Sequence, residues 1–149
     1  MSNYSEDISN KLNALLEKTY DAEKGFKTAA ENTKNVPLKL YFERKSGERT
    51  DFGYDLKSEM MSLGAEIHKG GSATGTAHRA WMDIKAFFSI DNDESMLEEA
   101  IRGEKAALEE YKEVLSETSL PQSTNVILMK QKTAIANDLD TIKRLEDLK

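Results

Sequence analysis

"RGEKAALEEY", residues 102–111, reads as helix throughout, yet it sets a carboxylate, Glu104, in line with residues that face a core. On a wheel of 100° per residue, Glu104 falls between Ala100, Leu108 and Tyr111, near the middle of an apolar stripe. Three roles are open to such a group: metal ligand, general acid or base, or one half of a buried ion pair.

Working outward, the same periodicity fills most of the chain. The helix that holds Glu104 spans about 93–117, with Met96, Leu97, Ala100, Leu108, Tyr111, Val114 and Leu115 on one face. Upstream, residues 5–34 place Ile8, Leu12, Leu15, Leu16, Thr19, Ala22, Phe26, Ala29 and Thr33 on a single stripe, in steps of three and four. Residues 37–67 do the same with Leu38, Phe42, Phe52, Leu56, Met60, Leu63 and Ile67, and residues 121–148 with Val126, Ile127, Ala134, Leu145 and Leu148. Both prolines, Pro37 and Pro121, stand where helices begin, where a missing N–H costs nothing. Ser119 with Gln122, and Asp91 with Glu94, have capping-box spacing. The segment "TAHRAWMDIKAFF" is too short for a full bundle member. It follows the glycine-rich "KGGSATGT" and predicts a short crossover helix over 76–89, docked through His78, Trp81, Ile84 and Phe88. Strand alternation is absent. The expectation is one all-α domain over 1–149, a long four-helix bundle with a short crossover helix between the second and third long helices.

Composition narrows the function classes. The 149 residues carry a net charge of −6 and a pI near 5.1, with lysines and arginines mixed among acids, which opposes binding to nucleic-acid phosphates. No apolar run approaches the ~20 residues that span a bilayer. The start "MSNYSEDISN" lacks a secretory pattern, so a cytoplasmic location is expected. With no cysteine there is no thiolate metal site or thiol nucleophile. "GGSATGT" lacks the Gly-Lys-Ser/Thr ending of a phosphate loop and reads as a connection. A homodimer or another protein partner remains open, because a wheel does not separate core from interface.

Glu104 is not alone on the inner stripes. Lys45 and Arg49 occupy the turns between Phe42 and Phe52, Glu23 flanks the stripe through Thr19 and Phe26, and Asn137 and Thr141 continue that of the last helix. All fall in the middle of their helices and are expected at one level, with Glu23 and Glu104 facing Lys45 and Arg49, and Tyr111, Asn137 and Thr141 completing a polar layer. The competing reading is a metal site, for which Glu23 and Glu104 are the candidate ligands of iron or manganese. Bundles that hold two such ions use inward glutamates and Glu-x-x-His motifs. Only two histidines exist, His68 and His78, and Ala65 and Gly75 stand three residues before them. Glu48 and Asp51 have i, i+3 spacing, but the wheel puts both on the outer side of their helix. No catalytic triad can be assembled, and no cofactor is indicated by the residues themselves.

"LNALLEKTYDAEKGFKTAAENT" (12–33), "LGAEIHKGGSATGTAHRAWMDIK" (63–85) and "EEAIRGEKAALEEYKEVL" (98–115) together resemble an uncharacterised bacterial family with a ferritin-like four-helix bundle. The resemblance covers most of residues 8–117. It implies the ferritin-like fold and no established activity. Superfamily relatives with iron sites use inward Glu and His ligands; Glu104 matches such a glutamate and Glu23 matches less closely. Two functions follow as expectations: a non-enzymatic structural, interaction or stress-associated protein with a polar layer in place of a dimetal site, or a carboxylate-bridged diiron or dimanganese protein with an atypical ligand set.

Overall fold

The computed structural model describes residues 6–67, 93–144 and 147–148. Among these, four helices form and no strand does: α1 (Glu6–Asn32), α2 (Val36–Ser62), α3 (Asp93–Leu115) and α4 (Gln122–Thr141). The glycine-rich lead-in, the crossover helix and its His78 and Trp81 lie outside the described residues, as do His68 and Asp91. No helix among the described residues is long and apolar enough to cross a membrane.

Helix ends follow local chemistry. The Asn35 side chain accepts from Leu38 N–H at 3.0 Å and caps α2, with Pro37 in the first turn. α2 stops at Ser62, short of the expected 67, because Gly64 takes a φ of +77°. The Ala65 N–H then reaches back to the Met60 carbonyl at 2.9 Å, satisfying a carbonyl that the helix leaves open. α4 ends at Thr141 rather than 148, since Ile142 is extended and Asp147 accepts from the Lys143 and Arg144 N–H groups at 2.9 and 3.2 Å. Pro121 precedes α4 without a side-chain cap, so Ser119 and Gln122 do not form the capping box their spacing suggests.

Contacts between helices fix their directions. Asn13 near the start of α1 donates to the Glu66 carbonyl just past α2 at 2.8 Å, and Lys11 pairs with Glu117 just past α3. At the other end Thr33 donates to Asp93 at 2.7 Å. Glu59 near the end of α2 accepts from Thr124 at the start of α4 at 2.6 Å. α1 therefore runs opposite to α2 and α3, and α4 runs opposite to both as well. α2 and α3 point the same way, so the end of α2 and the start of α3 stand at opposite ends of the bundle, the two helices being about 40 and 35 Å long.

The core is divided lengthwise. One apolar cluster joins Ile8, Leu12, Leu16, Leu56, Met60, Leu128 and Ile135; the other joins Phe26, Ala29, Leu38, Phe42, Met96 and Leu97. Each fully buried leucine or phenylalanine contributes about 1.5–3 kcal/mol relative to exposure. Between the clusters the inner positions of α2 and α3 are polar. Gly103, one residue before Glu104, meets nothing within 4 Å where a Cβ would stand. A mid-helix glycine costs roughly 0.5–1 kcal/mol relative to alanine. Gly103→Ala is therefore expected to raise the urea midpoint by a corresponding amount with unchanged m-value, and a lowered midpoint would refute the open space assigned to that face.

Candidate functional site

α2 presents its inner face in seven-residue steps, Leu38–Lys45–Phe52 and Phe42–Arg49–Leu56, so each seam carries a cation between two apolar residues. Lys45 is 0% exposed, Arg49 3% and Glu104 2%. Such burial costs several kcal/mol per ion unless each charge is met at close range.

Here each is met. The Lys45 ammonium, which has three N–H donors, lies 2.9 Å from Glu48 Oε1, 2.8 Å from Glu104 Oε2 and 2.7 Å from Asp138 Oδ2. Those oxygens come from α2, α3 and α4, so one ammonium ties three helices together. Arg49 engages both oxygens of Glu104, Nη1 to Oε2 at 3.3 Å and Nη2 to Oε1, and Nη1 also donates to Glu48 at 3.3 Å. The fork-to-fork match adds orientation to the charge pairing. The guanidinium also lies 5.5 Å from the centroids of both Phe26 and Phe52, one from each apolar cluster. At the solvent edge Arg44 donates to Asp138 at 3.3 and 3.4 Å while lying 5.6 Å from the Tyr41 ring centroid. Three cations, Arg44, Lys45 and Arg49, thus balance three carboxylates, Glu48, Glu104 and Asp138.

The neighbouring inner positions are neutral and hydrogen-bonded. Tyr111 donates to Gln131 Oε1 at 2.5 Å, and Gln131 Nε2 donates to the Phe52 carbonyl at 3.3 Å. Burial pushes the phenols of Tyr111 and Tyr41 up, against the pull of Arg49 and Lys45 respectively, and Tyr41 reaches about 12.

The inward geometry departs from the sequence expectation at five residues. Asn137 and Thr141 do not join the layer: Thr141 is exposed, and Asp138 supplies the carboxylate from α4 in place of Asn137. The buried stripe of α4 is Thr124, Leu128, Gln131 and Ile135. Val126, part of the expected apolar stripe, is 61% exposed. Two inward positions are polar, so an apolarity count follows the wrong face. Glu23 stands at the level of the layer but outside its ion pairs: its carboxylate accepts from the Thr50 hydroxyl and its carbonyl from Ser46 at 3.0 Å. It fastens α1 to α2 and does not meet Lys45 or Arg49. Glu48, expected to face outward with Asp51, curls back to both cations, while Asp51 is exposed. Lys45, Arg49 and Glu104 meet as a cluster, with Tyr111 beside them. Sequence reasoning missed Glu48 and Asp138, and also Glu59, which accepts from Ser123 and Thr124 at the start of α4. The helical spacing of Lys45 and Glu48 was the available signal for the first.

Charge coupling sets the pH response. Burial alone would raise the Glu104 carboxyl, but Arg49 and Lys45 hold it below its ordinary value; Asp138 is likewise lowered, chiefly by Lys45 against partial burial. Burial opposes the Lys45 charge, yet Glu104 raises its pKa above the ordinary value. A lowered acid gives stability that is present above its unfolded pKa and disappears as pH falls through its folded one. A raised lysine gives stability that disappears as pH rises through its folded value, and buried neutral tyrosines penalise folding once the unfolded phenols ionise. Unfolding free energy is therefore expected to be flat from about pH 5 to pH 9, to fall below about pH 4.5 and to fall again above about pH 10. Urea titrations across that range test it. A maximum confined to the acid side would contradict the paired assignment.

A metal centre can be weighed against this geometry. The carboxylates that converge here already surround an ammonium and a guanidinium, and no histidine stands among the described residues. An aromatic, doubly cationic interior does not fit two further cations.

Comparison with known proteins bears on the same residues. The family model described as "Domain of unknown function (DUF2383)" matches residues 7–117, about three quarters of the chain, including α1, α2 and α3 with Lys45, Arg49 and Glu104. No curated protein matches the chain.

Proposed function

The chain belongs to the DUF2383 family, and from that premise we propose that it is a non-enzymatic helical protein with a ferritin-like bundle, acting through its surface, in which an ion-pair layer stands in place of a dimetal site. One observation carries this reading: the Lys45 ammonium sits among carboxylates of three helices, at 2.7–2.9 Å from each, where an inward metal would need those same oxygens. The parallel course of α2 and α3 supports the ferritin-like connection, because such bundles need one long return between those two helices. No enzymatic step is assigned to the layer. Its charges are matched, its tyrosine is held neutral, and its cations are engaged.

The test is elemental analysis after anaerobic exposure to Fe(II) and to Mn(II), followed by desalting, for the native chain and for Glu104→Gln. The expected result is no stoichiometric metal in either. Near-stoichiometric metal in the native chain that is lost in the variant would overturn the proposal and make Glu104 a ligand of a carboxylate-bridged centre.

A further inference from the structure

α2 is apolar on two opposite faces. Its inner stripe is buried, but Val36, Leu40, Tyr54 and Met61 are 64%, 60%, 69% and 65% exposed. Leu40, Gly47, Tyr54 and Met61 recur every seven residues, and with Val36 they fall within about 60° on the wheel, turned away from Leu38, Lys45, Phe52 and Leu56. Among the described residues these four account for most of the large apolar side chains left in solvent; the others are Val126 and Met129 on α4. Scattered exposed hydrophobics need no explanation, whereas a stripe along one helix does.

Gly47 sits at the centre of the stripe. Among the described residues a Cβ there would touch nothing within 4 Å, so their packing gives no reason for a glycine that weakens the helix. A second backbone approaching that face supplies one.

The charges beside the stripe choose the occupant. One flank carries Arg44, Asp51 and Asp55; the other carries Lys39 and Lys57, with Glu43 nearer the seam, and all six are exposed. We propose that a second copy of this chain docks here, α2 against α2 and parallel, with the two-fold axis along the helices. In that arrangement the acidic flank of each copy faces the basic flank of the other. Asp55 comes level with Lys57 of the second copy, and Arg44, which also holds Asp138 of its own chain, with Glu43. The two Glu43 carboxylates approach one another at the seam, bracketed by both Arg44 side chains. An antiparallel pair sets like flank on like flank: it matches Arg44 to Asp51 but brings Lys39 to Lys57 and leaves Asp55 without a cation. The apolar contacts are then Leu40, Tyr54 and Met61, each against its own copy, with the helices closest at Gly47. This interface stands whether or not metal enters the bundle, so its failure and that of the proposed function are separately visible.

Sedimentation equilibrium of the full chain, at concentrations up to about 1 mM, measures the association. Because the sequence has no cysteine, a single Leu40→Cys variant reports orientation under mild oxidation, since a disulfide needs Cα atoms within about 7 Å. The expected result is a dimer, a Leu40→Cys disulfide between copies, and a dissociation constant raised at least 10-fold by Tyr54→Glu, whose helical content should be unchanged at so exposed a position. A chain that stays monomeric throughout overturns the proposal. So does a dimer indifferent to Tyr54→Glu, or one in which Leu40→Cys forms disulfide only when mixed with Tyr54→Cys.

Discussion

Glu104→Gln is expected to lower the unfolding free energy by about 3–5 kcal/mol, the usual cost of removing one partner of a buried ion pair. The loss is large because of what stays behind. Among the described carboxylates Arg49 keeps only Glu48, while 3% exposed and held between two phenyl rings. Lys45 keeps Glu48 and Asp138, so the damage concentrates on the guanidinium. A companion variant separates charge complementarity from mere polarity. Lys45→Met, Arg49→Met and Glu104→Leu together remove all three interior charges and leave Glu48 and Asp138 at the partly wet edge, where side chains are 19% exposed. That replacement is expected to be neutral or stabilising by about 1–4 kcal/mol. Urea unfolding followed by far-UV circular dichroism reads both. A Glu104→Gln loss under about 1 kcal/mol would mean that the pair is hydrated and not buried. If the triple variant instead loses its two-state transition, the layer sets helix register as well as matching charge.

The outcome of that comparison bears on why the layer exists. Two apolar clusters already hold the ends of the bundle, and long helices with continuous seams can slide by one repeat at modest cost. An ammonium that requires oxygens from α2, α3 and α4 at once permits one register only. Specificity of this kind is compatible with no net gain in stability, which is what the triple variant is expected to expose.

How much of this was legible in the sequence depends on the helix. α1 announces itself, because Ile8 through Ala29 are apolar or small at nearly every inward step, and those positions are buried. Lys45, Arg49 and Glu104 could be found because each interrupts an otherwise apolar stripe, and a charge on such a stripe is visible by contrast. α4 offers no contrast. Its inward positions include Thr124 and Gln131, polar groups satisfied by Glu59, Tyr111 and Phe52, while Val126 faces solvent. The periodicity of letters then points one step round the helix, which is why Asn137 is expected where Asp138 stands. Glu48 is misplaced for a different reason. Its Cα lies off the inner stripe, but a glutamate is long enough to bring its carboxylate back to Lys45 three residues earlier. A helical wheel locates backbone positions only, and two methylenes suffice to carry a carboxylate round to the inner face. Helix termini set by Gly64 and Ile142 are similarly hidden, since a stripe can continue in letters after the backbone has turned away.

Phe26→Ala should be as damaging as loss of the carboxylate, at about 3–5 kcal/mol, for a reason that ties the polar layer to the core. The Phe26 side chain is 1% exposed and packs at 6.2 Å, centroid to centroid, from Phe42. Its ring also lies 5.5 Å from the Arg49 guanidinium, so truncation opens a cavity and removes one of the two rings beside a buried cation. A double-mutant cycle distinguishes these contributions. If the ring stabilises the charge, the cost of Phe26→Ala must shrink when Arg49 is already methionine, with a coupling of about 1–2 kcal/mol for a desolvated cation–π contact. If Phe26 only fills space, the two effects add, and the coupling stays within the error of independent sites. Phe26→Leu refines the comparison, because it restores most of the volume without the ring's electrostatic face. A coupling that is as large in the Phe26→Leu cycle belongs to cation–π attraction; one found only with Phe26→Ala belongs to packing around Arg49.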